Sequence, residues 1–222
     1  RDKLGVLIEG GWSTTVDAAV WLCGLDNLVL FAADTPEFVE ELLGMLYEWE
    51  RPRTELMLEE GVDLLVHSAW YEMPHFWSPR LYRQLIKPLL KREVELAHSG
   101  GAHFVYILTA GSSMVLDDLL EIGVDSLRGL DPVQGYHDDL LTMKQGSAGR
   151  MALWGGLNAA TVLERGTPQE VRAAVEEAIR ICGPGGGFVL HPVDQVWTNT
   201  PWENVEAMID AWRAVGTYPL AG

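Results

Sequence analysis

The chain has 222 residues, 48% of them hydrophobic and 9 of them Trp, which is enough apolar material for a sizeable core within one α/β domain over residues 1–222. Its formal net charge of -16 argues against nucleic acid or an anionic membrane surface as partner, because both select basic patches. A highly anionic substrate fits only if basic groups are focused locally.

Cys23 and Cys182 lie far apart without the CxxC spacing of a structural zinc site. No apolar stretch reaches the roughly 18 to 20 residues that span a bilayer, and Arg1-Asp2-Lys3 resembles no signal peptide. A reduced, cytoplasmic protein is the expectation, and the lack of Met at position 1 suggests that the chain begins inside a longer product.

Taken in order, Lys3 to Ile8 reads as a strand that runs into Glu9-Gly10-Gly11-Trp12-Ser13-Thr14-Thr15. Those glycines allow close backbone approach to a ligand, although the run matches neither phosphate-loop pattern. A helix follows over about Thr35 to Glu60. Five glycines then each open a short apolar run that closes on a polar residue: Gly61 to Ser68, Gly101 to Thr109, Gly123 to Asp131, Gly149 to Asn158 and Gly187 to Asp194. Between them, helices are expected over about Pro79 to Ser99, Val115 to Ile122, Tyr136 to Lys144 and from Thr167 to the Gly183-Pro184-Gly185-Gly186-Gly187 stop, with a last one over Pro201 to Val215. Four Ser/Thr-Pro pairs, at Thr35, Ser78, Thr167 and Thr200, mark helix starts, and Glu170 and Glu203 would complete capping boxes at two of them.

Apolar runs alternating with helices signal parallel strands buried on both faces, with the chemistry at the strands' carboxyl ends. Six strand–helix units are counted where an eight-unit barrel needs eight. Two units absent at the amino end, pairing with another copy, or an open doubly wound sheet would each answer for the two edges.

Strand-end position alone nominates His67, His191 and Asp194 as a metal site or an acid–base set, with histidines satisfied by neighbouring carbonyls as the plainer reading. Asp131 before Pro132 and Asn158 after Gly155-Gly156-Leu157 also end strands, and read equally as a turn former and a helix cap. The loop Ala69 to Trp77 carries four aromatics and His75, and would line a ligand pocket with Tyr71 and His75 as polar handles, or fold over the rim as satellite core. Ser112 and Ser113 sit outside any G-x-S-x-G elbow and read as loop or cap serines. His98 and His103 fall on the far side of the strand from the cleft.

The helix opening Asp34-Thr35-Pro36-Glu37-Phe38-Val39, the Ser78-Pro79-Arg80-Leu81-Tyr82 start, Glu121-Ile122-Gly123-Val124-Asp125, Ala152-Leu153-Trp154-Gly155-Gly156-Leu157, Gly185 to Leu190 and Thr200 to Val205 occur in an order that resembles the uroporphyrinogen decarboxylase superfamily, from about Gly5 to Val215. That resemblance implies a TIM-barrel (β/α)8-type α/β fold of which about six βα units are present here, the carboxyl-terminal two thirds to three quarters of the usual chain. It implies a serine at the place of Ser68. The family's decarboxylases carry a histidine where Asp194 stands, and often an aspartate where Asn158 stands.

Its corrinoid-linked methyltransferases hold zinc by a His-x-Cys pair where Leu108-Thr109-Ala110 stands, and by a cysteine at the place of Asp194. The soft ligands for thiolate zinc are therefore not expected. The reading that follows is a decarboxylase-like enzyme without cofactor, acting on a tetrapyrrole or other organic acid. Asp194, His191 and His67 would manage protons, and Ser68, Tyr71, His75, Thr109, Arg128, Asp131 and Asn158 would bind substrate. One alternative is a corrinoid-protein-dependent methyltransferase with a divalent metal such as zinc on His67, His191 and Asp194. The other is a non-catalytic ligand-binding barrel. A homodimer fits the open edges.

Overall fold

The structure, a computed structural model, describes residues 5–13, 15–135, 138–147 and 149–220. The chain has the α/β fold of a TIM-type barrel, with six strands among the described residues. It divides into two compact units, residues 1–108 with 114–126, and residues 109–113 with 127–222.

In the first unit, strand β1 (Glu9–Ser13) is followed by helices α1 (Thr15–Cys23), α2 (Leu25–Asp34) and α3 (Pro36–Glu59). Next come β2 (Leu64–Ser68), α4 (Pro79–Leu81), a π-helical segment (Tyr82–Ile86), α5 (Lys87–Ser99), β3 (His103–Ile107) and α6 (Leu116–Ile122). Strands β1, β2 and β3 pair in parallel in that order, with Leu64 opposite His103 and His67 opposite Tyr106. All five residues of β2 are buried, as a strand covered on both faces requires.

The first strand starts later than its apolar run suggests. Val6, Leu7 and Ile8 are exposed, and the ladder forms over Glu9–Ser13 instead. Two glycines make this pairing feasible. A Cβ on Gly11 would stand 2.6 Å from the carbonyl oxygen of Val66, and one on Gly10 would stand 2.6 Å from Val62 Cγ1, so the close approach these glycines allow is to the neighbouring chain segment. Helices α1 and α2 lack a proline start and have no counterpart among the anticipated helices. No single helix among the described residues is long and apolar enough to cross a membrane.

The expected helix over Pro79 to Ser99 forms, but with a wide π turn in the middle. Pro88 has no N–H to donate to the preceding turn, and the chain widens just before it. Ser78 caps the entry, accepting a bond from the Leu81 N–H at 3.3 Å.

The second unit contains β4 (Ser126–Leu130), α7 (Leu140–Ser147), β5 (Ala152–Asn158), a π-helical turn (Ala159–Glu164), α8 (Pro168–Cys182), β6 (Phe188–Val193) and α9 (Trp202–Val215). Strands β5 and β6 pair in parallel, Gly156 opposite His191 and Asn158 opposite Val193. Leu157, Leu163, Val171, Val175, Ile179, Ala207 and Ala211 form the buried core between β5, α8 and α9. Helix α7 begins at Leu140; the anticipated start at Tyr136 lies outside the described residues.

The capping box at Thr167 is complete, its hydroxyl accepting the Glu170 N–H at 3.3 Å while Glu170 accepts the Thr167 N–H at 2.7 Å. The matching box at Thr200 does not form, because Pro201 occupies the cap position and α9 begins at Trp202. Thr35 precedes α3 but its hydroxyl turns back to the Phe31 carbonyl.

Two glycine substitutions test this description in opposite directions. Gly11→Ala, at φ +113° and against backbone, should lower unfolding stability by about 1–3 kcal/mol, whereas Gly44→Ala, inside α3 with open space around it, should raise it by about 0.5–1 kcal/mol. Urea denaturation of both variants measures the difference.

Candidate functional site

Side-chain alternation decides which residues of β2 face the helices. His67 and its ladder partner Tyr106 turn to the helix side, where His67 meets Glu93 of α5; Ser68, next along the strand, points the opposite way. Ser68 is 1% exposed, and its Oγ is buried without a hydrogen-bond partner among the described residues. A buried hydroxyl in that state is a ready donor or acceptor for a ligand.

His67 is 2% exposed and fully engaged. Its Nδ1 lies 2.8 Å from Glu93 Oε2 and its Nε2 lies 2.7 Å from Glu72 Oε1. The second oxygen of Glu72 accepts from the Tyr106 hydroxyl at 2.6 Å, and the Tyr82 hydroxyl donates to Tyr106 at 3.4 Å. The Thr15 hydroxyl reaches the second oxygen of Glu93 at 3.4 Å. Burial opposes a charged imidazole, but two carboxylates within hydrogen-bond distance outweigh it and raise the His67 pKa well above its ordinary value. Burial and then Glu72 raise the Tyr106 phenol, keeping it a proton donor. The space around this cluster measures about 10 Å³, too little for an organic ligand.

The expectation that His67 manages protons in a cleft, or ligates a metal, is therefore corrected. Both ring nitrogens are taken, and the ring lies on the helix side of the strand.

The loop after β2 is held from beneath. The Tyr71 N–H donates to Asp17 Oδ1 at 3.0 Å, and Trp77 Nε1 donates to the Tyr71 carbonyl at 2.6 Å. Trp77 is fully buried, so the loop has a satellite core, while Tyr71 is half-buried and Trp70 and His75 are exposed. Burial pushes the Asp17 carboxyl up to about 6, partly offset by the amides it accepts.

In the second unit Asp131 and Asn158 take the structural roles open to them. Asp131 Oδ1 accepts from the Val133 and Gln134 N–H groups at 2.8 and 3.1 Å, closing the turn after β4, and its Oδ2 accepts from Asn158 Nδ2 at 2.7 Å. Asn158 also donates to Gln134 Oε1 at 2.9 Å and caps the following π turn through Thr161. Both are buried, at 4% and 2% exposure, and the bonds they make leave them little capacity for substrate. Ser112 and Ser113 donate their backbone N–H groups to Asp138, each at 2.8 Å, as loop residues do. Thr109 is half-buried just after β3.

Arg128 and Trp154 occupy the middles of β4 and β5, with the guanidinium 4.4 Å from the centre of a Trp154 ring. Both are half-buried, unlike the fully buried Leu127 and Leu153 beside them. Stacking fixes the plane of the guanidinium, which suits a carboxylate approaching edge-on.

At the end of β6, Asp194 has φ +76°, the one left-handed non-glycine residue among those described. Aspartate tolerates that region better than most residues. It is exposed, yet partial desolvation still raises its carboxyl, while neighbouring His191 acts in the lowering direction. In the first unit, His98 and His103 bracket Asp125 at 2.7 and 3.3 Å.

Sequence reasoning missed Asp17, Glu72, Glu93 and Tyr106. Glu93 had a signal, since it occupies an apolar-face position of α5 with Leu90, Val94 and Ala97.

A family model described as Uroporphyrinogen decarboxylase (URO-D) matches residues 2–215. The methylcobamide:CoM methyltransferase MtaA of Methanosarcina barkeri is 24% identical over 213 residues, which is 95% of this chain and 60% of that protein. A uroporphyrinogen decarboxylase of Coxiella burnetii is 27% identical over 180 residues, 79% of this chain and 47% of that protein. Among solved structures, a methyltransferase from Methanosarcina mazei superposes with a TM-score of 0.79 at 24% identity, covering 98% of this chain and 62% of that one. The chain thus spans about half to three fifths of the length of these relatives.

The His67 cluster sets a pH dependence with a definite sign. The folded-state pKa of His67 is raised, so its contribution is fully present below the unfolded value of about 6.5 and is lost as pH rises through the folded value. Unfolding free energy should decline above pH 6.5, and Glu93→Gln, which removes one of the raising carboxylates, should flatten that decline. Chemical denaturation at half-unit pH steps shows either result.

Proposed function

The chain belongs to the uroporphyrinogen decarboxylase family, and on that premise we propose that it removes a carboxylate from an organic acid, tetrapyrrole acids included, by proton transfer at the strand carboxyl ends. The observation that carries the reading is Asp194, a carboxyl raised from its ordinary value and held in left-handed backbone beside His191. Strained backbone of this kind persists where the surroundings enforce it, often at a reacting group.

In this reading Arg128, its plane set by Trp154, binds a substrate carboxylate. As the scissile carboxylate leaves as carbon dioxide, its bonding electron pair stays on the adjacent carbon. Protonated Asp194 delivers its proton to that carbon, giving R–H, carbon dioxide and an aspartate that regains a proton from water. His191 stabilises the aspartate through its positive charge when protonated. Taken within the first unit alone, Ser68, with its unpartnered buried hydroxyl, and Tyr71 are the groups read as substrate-binding.

Methyl transfer is the second reading, favoured by the 95% coverage of this chain by the methylcobamide:CoM methyltransferase, and a corrinoid protein would then be the partner. The residues present do not fit a thiolate-held zinc. Cys23 ends α1, and Cys182 is buried on α8 with its thiol pushed up to about 11 by burial.

The test gives the purified chain uroporphyrinogen and, separately, methylcobalamin with coenzyme M. Loss of substrate carboxylates, reduced about 10²- to 10⁴-fold by Asp194→Asn, supports the proposal. Demethylation of the cobalamin without decarboxylation overturns it in favour of the second reading, and tight binding of either compound without turnover favours a non-catalytic barrel.

A further inference from the structure

Four elements of the first unit converge on one short loop. Glu72, in the loop after β2, is held by His67 at 2.7 Å and by Tyr106 of β3 at 2.6 Å. His67 is in turn held by Glu93 of α5 at 2.8 Å. Asp17 of α1 takes the Tyr71 N–H at 3.0 Å. His67, Glu72, Glu93, Asp17 and Tyr106 are all at least 95% buried, so these bonds are shielded from competing water. The clasp brackets the four residues Ser68 to Tyr71, with Ser68 directly after His67 and Tyr71 directly before Glu72. Neither belongs to the clasp by its own side chain.

We propose that Glu93, His67 and Glu72 are positioning residues, whose clasp fixes the turn from β2 into the loop so that the Ser68 hydroxyl and the Tyr71 ring are presented to the substrate. The inference rests on the reading of Ser68 and Tyr71 as substrate-binding groups given above. An apolar core could bury the same surface, but it would not set the loop at a single position along the strand axis. A ring gripped at both nitrogens by carboxylates from two other segments does so, since each bond has a preferred direction as well as a distance. Trp77 reinforces the same geometry by binding the Tyr71 carbonyl.

Hydrogen exchange of the full chain, read by mass spectrometry without any substrate, tests the clasp directly. In His67→Gln and Glu93→Gln, amides of residues 69–77 should exchange at least tenfold faster, while those of residues 103–107 change less than twofold. Tyr106→Phe removes one bond to Glu72 and leaves the ion pairs, so a smaller rise confined to the same loop is expected even if the other variants fold poorly. Unchanged exchange in the loop, or an equal rise throughout residues 64–107, overturns the proposal. On a substrate turned over by the wild type, KM should rise with kcat within about twofold. Because loop order is read without substrate, loss of the decarboxylase reading leaves this result standing, and an unaltered loop in an active enzyme defeats the clasp alone.

Discussion

A charge buried in protein must be paired, and the first unit is organised around one that is. An isolated imidazolium at the position of His67 would carry a desolvation cost of several kcal/mol, and removing either carboxylate would expose part of it. The pairing ties the sequence from Thr15 to Tyr106 together, because Glu93 comes from a helix, Glu72 from a loop, and Tyr106 from the next strand. The neighbouring apolar residues of β2 and β3 supply burial, which is non-directional; the clasp supplies direction. The second unit uses a different device for the same end, with Asp131, Gln134 and Asn158 locking the turn after β4 to the end of β5 through neutral and singly charged hydrogen bonds.

Much of the fold was legible because its signals are local. A glycine leading into a short, largely apolar run that closes on a polar residue describes a parallel strand whatever lies beyond it, and five of the six strands among the described residues fall within such runs, although β6 is only partly buried. Thr167-Pro168 with Glu170 names a helix start from four residues, and the box forms as written. Where the signal depended on a neighbour it failed. Val6, Leu7 and Ile8 look like a strand in isolation, yet the ladder is placed by how closely Gly10 and Gly11 can approach β2. Thr200-Pro201-Trp202-Glu203 has the same spacing as the box at Thr167, but α9 begins one residue later, so Pro201 rather than the threonine holds the cap position.

The candidate site divides along the same line. Proximity to a strand's carboxyl end drew attention to Ser68 and Asp194 as well as to His67, but it cannot distinguish the two faces of a strand. His67 and Ser68 are adjacent in sequence and opposite in role, and only the positions of Glu93 and Glu72 assign the histidine to the helix side. Those two glutamates were hidden in the sequence by the abundance of acidic residues, 32 in all, most of them on solvated surfaces. A glutamate among Leu90, Val94 and Ala97 is the exception that periodicity alone could expose.

The π turn at Tyr82–Ile86 bears on how such a chain could change by insertion and deletion. It holds one residue more per turn than the helices on either side, so the extra residue is absorbed as a wider turn. Deleting one residue there would let the segment close to an ordinary α turn, leaving the number, order and rotational phase of the elements nearly unaltered, with Glu93 still facing His67. The same deletion inside the regular part of α5 ahead of Glu93 has no such slack, and would rotate the rest of the helix by about 100° and carry Glu93 away from the histidine.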